Sequence, residues 1–327
     1  MRAMIMEKTG GPEVLRLAEV PTPEPGPGQV LIRVACAGVN PADWKDREGM
    51  LAIYAPYRFP YILGFDAAGV VERVGPGVES PRPGDRVFTP GNHGQSAWGS
   101  YAEFMVADAD RTAAIPAAMS FAAAASIPVA ALTGWQALFD RGGLRAGQRI
   151  MIHGGSGGLG SFAVQFARWA GAAVAATCST ANVDYVRGLG AERVIDYRLE
   201  DIAEAIRAWA PDGLDMLVDA VGASTLPGGL NMVRPRGAYV SIPTLTDDGN
   251  IEASFAAAEA RQVCRIFSTM SDVACGGSLA TIAGLIARGH VTLPPMRTLP
   301  LEQAAQAHIA IQTGHVRGKI VLNVAEV

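Results

Sequence analysis

Arg149-Ile150-Met151-Ile152-His153-Gly154-Gly155-Ser156-Gly157-Gly158-Leu159-Gly160 is the stretch whose reading decides the fold. A short apolar run opens it and reads as a buried strand. Five glycines in the next seven residues follow, and then a helical pattern carries Phe162, Val164, Phe166 and Ala167 up to Trp169. Gly155-x-Gly157-x-x-Gly160 has the dinucleotide-binding spacing and lies between strand and helix, as that motif requires. Glycine permits the tight turn and lets backbone approach a pyrophosphate, whose charge meets free N–H groups at a helix N-terminus. The same spacing outside this context describes only a glycine-rich surface turn. The flanking elements decide for nucleotide binding.

Reading onward, residues 173–177, 193–195, 215–220, 238–242 and 262–267 have strand character. Helical stretches 181–189, 201–210 and 253–260 separate them, and 282–288 extends a last helix. With 149–153 this makes six strands, the number expected of a doubly wound parallel sheet. Reading back, the rhythm differs. Twelve of the 21 prolines occur by Pro90, and Pro21-Thr22-Pro23-Glu24-Pro25-Gly26-Pro27-Gly28 is a rigid connector. Short runs at 2–7, 14–20, 29–36, 67–74, 85–88 and 101–106 read as strands of a distorted barrel. A final strand over 319–324 is expected to return to it.

The 327 residues suffice for two cores, and 49% hydrophobic with 18% charged residues describes a globular chain. A net charge of -4 makes no electrostatic case for nucleic acid or an anionic membrane. Cys36, Cys178, Cys264 and Cys275 are scattered, which suggests neither a disulfide framework nor a zinc ribbon. Strand-like sequence directly after Met1 lacks signal-peptide character. The apolar run 121–132 is too short, and too interrupted by Ser126 and Pro128, to span a bilayer. A cytoplasmic protein is expected.

Ordered motifs along nearly the whole length resemble the medium-chain dehydrogenase/reductase superfamily, in its zinc-free quinone oxidoreductase (zeta-crystallin-like) branch. They are Gly38-Val39-Asn40-Pro41-Ala42-Asp43, Gly64-Phe65-Asp66-Ala67-Ala68-Gly69-Val70-Val71, Pro83-Gly84-Asp85-Arg86-Val87 and Ala131-Leu132-Thr133-Gly134-Trp135-Gln136-Ala137-Leu138. The glycine loop, Leu189-Gly190-Ala191-Glu192, Val194-Ile195-Asp196-Tyr197 and Gly318-Lys319-Ile320-Val321-Leu322 complete the set. The resemblance implies an α/β chain. A GroES-like β-barrel catalytic domain would take residues 1–122 and 292–327, and a Rossmann domain with a six-stranded parallel sheet residues 123–291.

It also implies site residues. Asn40 and Phe65 stand where zinc-dependent members carry cysteine and histidine ligands, and neither is a usual zinc ligand. No metal is expected, and the five histidines read as surface or boundary residues. Asn40, Asp43 and Tyr54 are the expected catalytic residues, with Tyr57 an alternative pocket tyrosine. For the cofactor the expected contacts are Thr133, Gly155, Ser156, Gly157, Gly158, Leu159, Cys178, Ser179, Tyr197, Val221, Ile242, Phe267 and Lys319. The strand ending at Cys178-Ser179-Thr180 lacks the carboxylate that binds a ribose 2′-hydroxyl. NADPH is therefore expected over NADH, although no lysine follows that strand and Arg187 lies further along. The Ser179 and Thr180 hydroxyls also suit helix capping, Asn40 also suits a backbone turn, and Lys319 also suits a solvated surface charge. The expected activity is hydride transfer from NADPH to a quinone or an enone or enal. A zinc-free carbonyl or alcohol dehydrogenase and a non-catalytic NADPH-binding protein are the alternatives. A homodimer would cover the edge strand at 262–267.

Overall fold

The computed structural model describes residues 1–53, 56–91, 98–242, 251–268 and 275–327. In chain order the first part runs β1 (Arg2–Met6), β2 (Arg16–Glu19), β3 (Gln29–Val39), α1 (Pro41–Arg47), β4 (Tyr61–Ile62), β5 (Asp66–Val74), β6 (Arg86–Pro90), β7 (Phe104–Asp108), β8 (Ala113–Ala114) and α2 (Phe121–Ala125). After α3 (Pro128–Trp135) come β9 (Arg149–His153), α4 (Gly158–Trp169), β10 (Ala173–Cys178), α5 (Val183–Gly188), β11 (Arg193–Asp196) and α6 (Ile202–Trp209). Then follow β12 (Leu214–Asp219), β13 (Val233–Ser241), α7 (Ile251–Ala260) and β14 (Cys264–Phe267). The chain closes with α8 (Gly276–Ala287), β15 (Met296–Pro300), α9 (Ala304–Gln312) and β16 (Lys319–Asn323).

Two compact units result: Met1–Leu132 with Asp272–Arg288 and Pro295–Val327, and Thr133–Ser271 with Gly289–Pro294. In the first, a sheet ordered β15-β16-β3-β5-β6-β8, with β7 also on β3, faces a smaller sheet's worth of core from β2-β1-β4. β16 pairs antiparallel with β3, Val321 opposite Gly38, so the late strand does return to the first unit. The second unit is a parallel sheet ordered β11-β10-β9-β12-β13-β14. That is the doubly wound arrangement, in which ligands bind outside the carboxyl ends of the strands. The α/β class and the six-stranded Rossmann sheet are thus borne out.

Several elements differ from the sequence reading for identifiable reasons. Asn40-Pro41 starts a helix instead of ending in a turn. Asn40 is extended (φ -129°, ψ 158°), Pro41 occupies the first helical position, and the Asp43 carboxylate accepts the Asn40 N–H at 2.6 Å. β13 begins at Val233, well before the expected 238; a register shift against β12 and a left-handed Arg236 (φ 66°) interrupt its charged first half. β15 shows no alternation, since only Leu299 of its residues is buried, and Pro294-Pro295 masked it. The helix over Gly276–Ala287, read from sequence as part of the nucleotide half, lies with the first unit. There Gly276 fits against the Asp110 and Thr112 carbonyls, where a Cβ would come within 2.7 Å.

Candidate functional site

In the second unit, β9 delivers the chain into the glycine loop through Gly154, whose φ of +88° is open to glycine. The loop is pinned from below. Gly154 N–H donates to Thr177 Oγ1 at 3.0 Å, and Gly155 N–H to the Thr177 carbonyl at 2.8 Å. His153 sits buried between Thr177 Oγ1 (2.7 Å from Nδ1) and Thr225 Oγ1 (2.9 Å from Nε2). Thr225 spends its own proton on the Gly222 carbonyl, so it accepts from Nε2–H, and Nδ1 accepts from Thr177. Burial lowers the imidazole pKa, opposed by the nearby Asp219 charge, which keeps this neutral tautomer. The expectation of a surface or boundary histidine fails here, because two threonines satisfy the ring. It fails also at His308, discussed below; His290 and His315 are exposed, and His93 lies outside the described residues.

Gly157 caps α4 in an extended conformation without any side-chain acceptor. The N–H groups of Gly158, Leu159 and Gly160 therefore lack intrahelical partners and carry the positive end of the helix dipole. A Cβ on Gly157 would meet only the Gly154 carbonyl oxygen at 3.6 Å, whereas one on Gly160 would lie 2.1 Å from that oxygen. So Gly160 lets the helix close onto the loop, and Gly157 leaves open space beside the free donors. Those residues fit a dinucleotide pyrophosphate.

Most of the remaining expected cofactor contacts of this unit lie at the carboxyl ends of its strands. Cys178 ends β10 and is buried, its thiol pushed up to about 11 by burial and then by the Asp196 charge. Ser179 precedes a single turn, Thr180–Asn182, and its Oγ accepts from Asn182 Nδ2 at 3.0 Å. Tyr197 follows β11 and is 43% exposed. Val221 and Ile242 follow β12 and β13; both backbones bond Asp219, Val221 N–H to Oδ1 at 3.1 Å and Ile242 N–H to the carbonyl at 2.9 Å. Phe267 ends β14, its ring centre 4.4 Å from the Arg265 guanidinium. Thr133 lies buried on α3, and Ser156 is in the turn between β9 and α4.

The first unit gathers Asn40, Asp43 and Lys319 around Asp66, which the sequence reading quoted in a motif without giving it a role. Lys319 is not a solvated charge. It is buried, and its ammonium donates to the Val39 carbonyl (3.0 Å), Asn40 Oδ1 (2.5 Å) and Asp66 Oδ2 (3.1 Å), which accounts for all three protons. Asn40 Nδ2 donates to Asp66 Oδ2 at 2.8 Å, so both ends of the carboxamide are oriented. Asp66 Oδ1 accepts the Val129 N–H at 2.7 Å near the start of α3. Tyr54 lies outside the described residues. Tyr57 is committed elsewhere: its hydroxyl bonds the Asp46 carbonyl (2.8 Å) and Oδ1 (2.7 Å).

Behind Asp43 runs a fully buried polar chain through Tyr101, His308 and Arg47. Arg47 Nη1 lies 3.2 Å from His308 Nδ1, and a guanidinium only donates, so Nδ1 accepts and Nε2 carries the proton. That proton goes to Tyr101 Oη at 3.1 Å. Burial, and then the Asp43 charge, raise the phenol's pKa, and the buried Asp43 Oδ1 itself has no hydrogen-bond partner among the described residues. Burial pushes the Asp43 carboxyl well above the usual range, opposed by the Asn40 N–H.

Burial, and then the Arg47 charge, lower His308 to about 3. A histidine ordinarily titrates near 6.5 once unfolded, so below that pH the unfolded chain binds the extra proton and stability falls. The loss develops as pH drops from about 6.5 to about 3, with a slope on the order of 1.4 kcal/mol per pH unit. Asp46, raised by burial to about 6, acts in the opposite sense, since the folded state then holds the proton more tightly. Urea midpoints measured across this range should fall less steeply with acid in His308→Asn than in the wild type; equal slopes would count against a buried neutral imidazole.

The donor set does not fit a catalytic zinc. An amide and a buried phenyl ring stand at 40 and 65, and an ammonium occupies the acceptors beside them. Among the described residues no group of three or more His, Cys, Asp or Glu side chains could hold a metal ion.

A doubly wound sheet with this loop, in a chain that also carries a β unit closed by its late strand, fits a dinucleotide-dependent enzyme. Residues 26–117 match the alcohol dehydrogenase GroES-like domain family and 189–322 the zinc-binding dehydrogenase family. A chloroplastic quinone oxidoreductase from Triphysaria versicolor is 32% identical over 96% of this chain and 95% of its own. The solved quinone oxidoreductase of Coxiella burnetii superimposes with a TM-score of 0.90 at 31% identity, covering 99% of both chains. Two further structures cover 99% of this chain and 100% of theirs: one described as an NAD-dependent alcohol dehydrogenase (TM-score 0.88, 32% identity), the other a mycobacterial protein described as complexed with NADPH (TM-score 0.87, 30% identity). The chain belongs to the medium-chain dehydrogenase/reductase superfamily, among the quinone oxidoreductase homologues. It is an oxidoreductase of a family that binds a nicotinamide cofactor and acts on small molecules. Among the described residues no helix is long and apolar enough to cross a membrane.

Proposed function

We propose that this protein is a zinc-independent, NADPH-dependent reductase of quinones or activated alkenes. The observation that carries the reading is the Asn40–Lys319–Asp66 cluster, an amide, an ammonium and a carboxylate bonded to one another where zinc-dependent relatives would place ligands. NADPH, when bound, would supply a hydride. The Gly158 and Leu159 N–H groups would hold its pyrophosphate, and Ser179, Thr180 and Tyr197 its adenosine end. Asn40, oriented by Lys319 and Asp66, would direct its second Nδ2 proton to the carbonyl oxygen of the acceptor, where negative charge develops. The acceptor's second hydrogen then comes as a proton from water, since Asp43 is buried and bound to the Asn40 backbone. Asp43 thus acts as a positioning residue. A homodimer in the cytoplasm completes the reading, β14 being the sheet edge a second copy would cover.

The test is NADPH oxidation followed by absorbance against benzoquinone, phenanthrenequinone, an unsaturated aldehyde, an enone and a simple ketone, with NADH and a chelator as controls. Chelator-insensitive turnover of quinones, or saturation of the enone carbon–carbon bond, is expected. Chelator-sensitive ketone reduction would sink the proposal, and NADPH binding without any turnover would favour a non-catalytic role.

A further inference from the structure

We infer that Arg198 is the residue that selects a 2′-phosphorylated cofactor, an inference that rests on the NADPH reading above. A 2′-phosphate needs a cation near the end of the second strand of the doubly wound sheet. Here β10 ends in Cys178-Ser179-Thr180 without charge. The next cation along, Arg187, is paired with Asp184 at 2.7 Å. Arg193 is engaged by Glu200 and by the Val194 carbonyl. The exposed Arg198 guanidinium has no hydrogen bond or ion pair among the described residues.

Its place is set by backbone. β11 runs parallel to β10 with Asp196 opposite Cys178, and Tyr197 N–H donates to the Cys178 carbonyl at 3.2 Å. Asp196 then anchors a turn. Its Oδ1 accepts the Arg198 N–H at 3.0 Å, and its carbonyl accepts the N–H groups of Leu199 (3.0 Å) and Glu200 (2.9 Å). The turn sets the Tyr197 backbone against the last residue of β10, one residue before Ser179, and puts Arg198 next to it in the chain. Asp196 does not stand where an NAD site places its ribose acceptor, since it ends β11 and not β10, and its Oδ2 is shielded from the surface. Three hydroxyls and one uncommitted guanidinium remain. A planar guanidinium binds a phosphate dianion through two parallel N–H bonds, which a ribose hydroxyl cannot reciprocate.

Isothermal titration of the wild type, Arg198→Ala and Arg198→Lys with adenosine 2′,5′-bisphosphate and with adenosine 5′-phosphate tests this without turnover. Arg198→Ala should bind the bisphosphate roughly 10- to 100-fold more weakly, the monophosphate within about twofold of wild type, and Arg198→Lys should recover part of the loss. No loss, or equal losses for both ligands, would overturn the role of Arg198. A wild type that binds the two ligands equally well would instead overturn the NADPH reading, and this inference with it.

Discussion

Lys319→Ala lowers the stability of the first unit by about 3–5 kcal/mol, the cost of leaving a buried charge uncompensated. Lys319 and Asp66 are 3% and 0% exposed in their side chains, and one ammonium serves three acceptors contributed by β3, the residue after it and β5. Removing it strands the Asp66 carboxylate on neutral donors, the Asn40 amide and the Val129 N–H. It also frees the carboxamide to rotate, so acceptor reduction should fall together with stability. Urea unfolding followed by fluorescence measures the first effect, with Lys8→Ala, an exposed lysine, expected to change it by less than about 0.5 kcal/mol. A Lys319→Ala midpoint no different from that of Lys8→Ala would contradict the buried cluster.

The second large effect separates two glycines of one loop. Gly157→Ala should weaken NADPH binding on the order of a hundredfold and leave thermal stability nearly unchanged. Its φ of -74° suits alanine, and the added methyl enters space that only the ligand would fill. Gly160→Ala should lose both. Its methyl would sit 2.1 Å from the Gly154 carbonyl oxygen and 2.8 Å from the Gly155 Cα, so the helix must lift away, at a cost of about 1–3 kcal/mol. Calorimetric titration with NADPH beside a melting curve for each variant reads both quantities. If Gly157→Ala bound NADPH like wild type, the loop would not be the pyrophosphate site.

Much of this architecture is legible in the residues because it is local. The strand 149–153 is legible because it is itself an apolar run that ends in a glycine loop. The return of β16 to the first unit is legible in the strand character of residues 319–324 after the Pro294-Pro295 break. What the sequence hides is the pairing of distant polar groups. Lys319 reads as a cofactor contact or a surface charge and not as a buried counter-ion, because nothing near it in the chain announces Asp66, 253 residues away. His308 and Arg47 are separated by 261 residues, and only α9 packing beside α1 makes the imidazole a buried acceptor. The cation inferred for the 2′-phosphate, Arg198, is hidden for a related reason: it follows β11, which neighbours β10 only in space.

The Lys319–Asp66 pair also governs the order in which the polypeptide can mature. As the chain emerges from the ribosome, Asn40 and Asp66 appear early, and the whole of Thr133–Ser271 is synthesised before their counter-ion exists. At roughly 5–20 residues per second, that wait lasts on the order of 10 to 50 seconds. The nucleotide unit owes nothing to the missing lysine and can fold meanwhile, whereas the first unit carries an unneutralised carboxylate until Lys319 arrives. Closure of the β unit is therefore the late event of biosynthesis, and the same residue that orients the carboxamide acts as its final fastening.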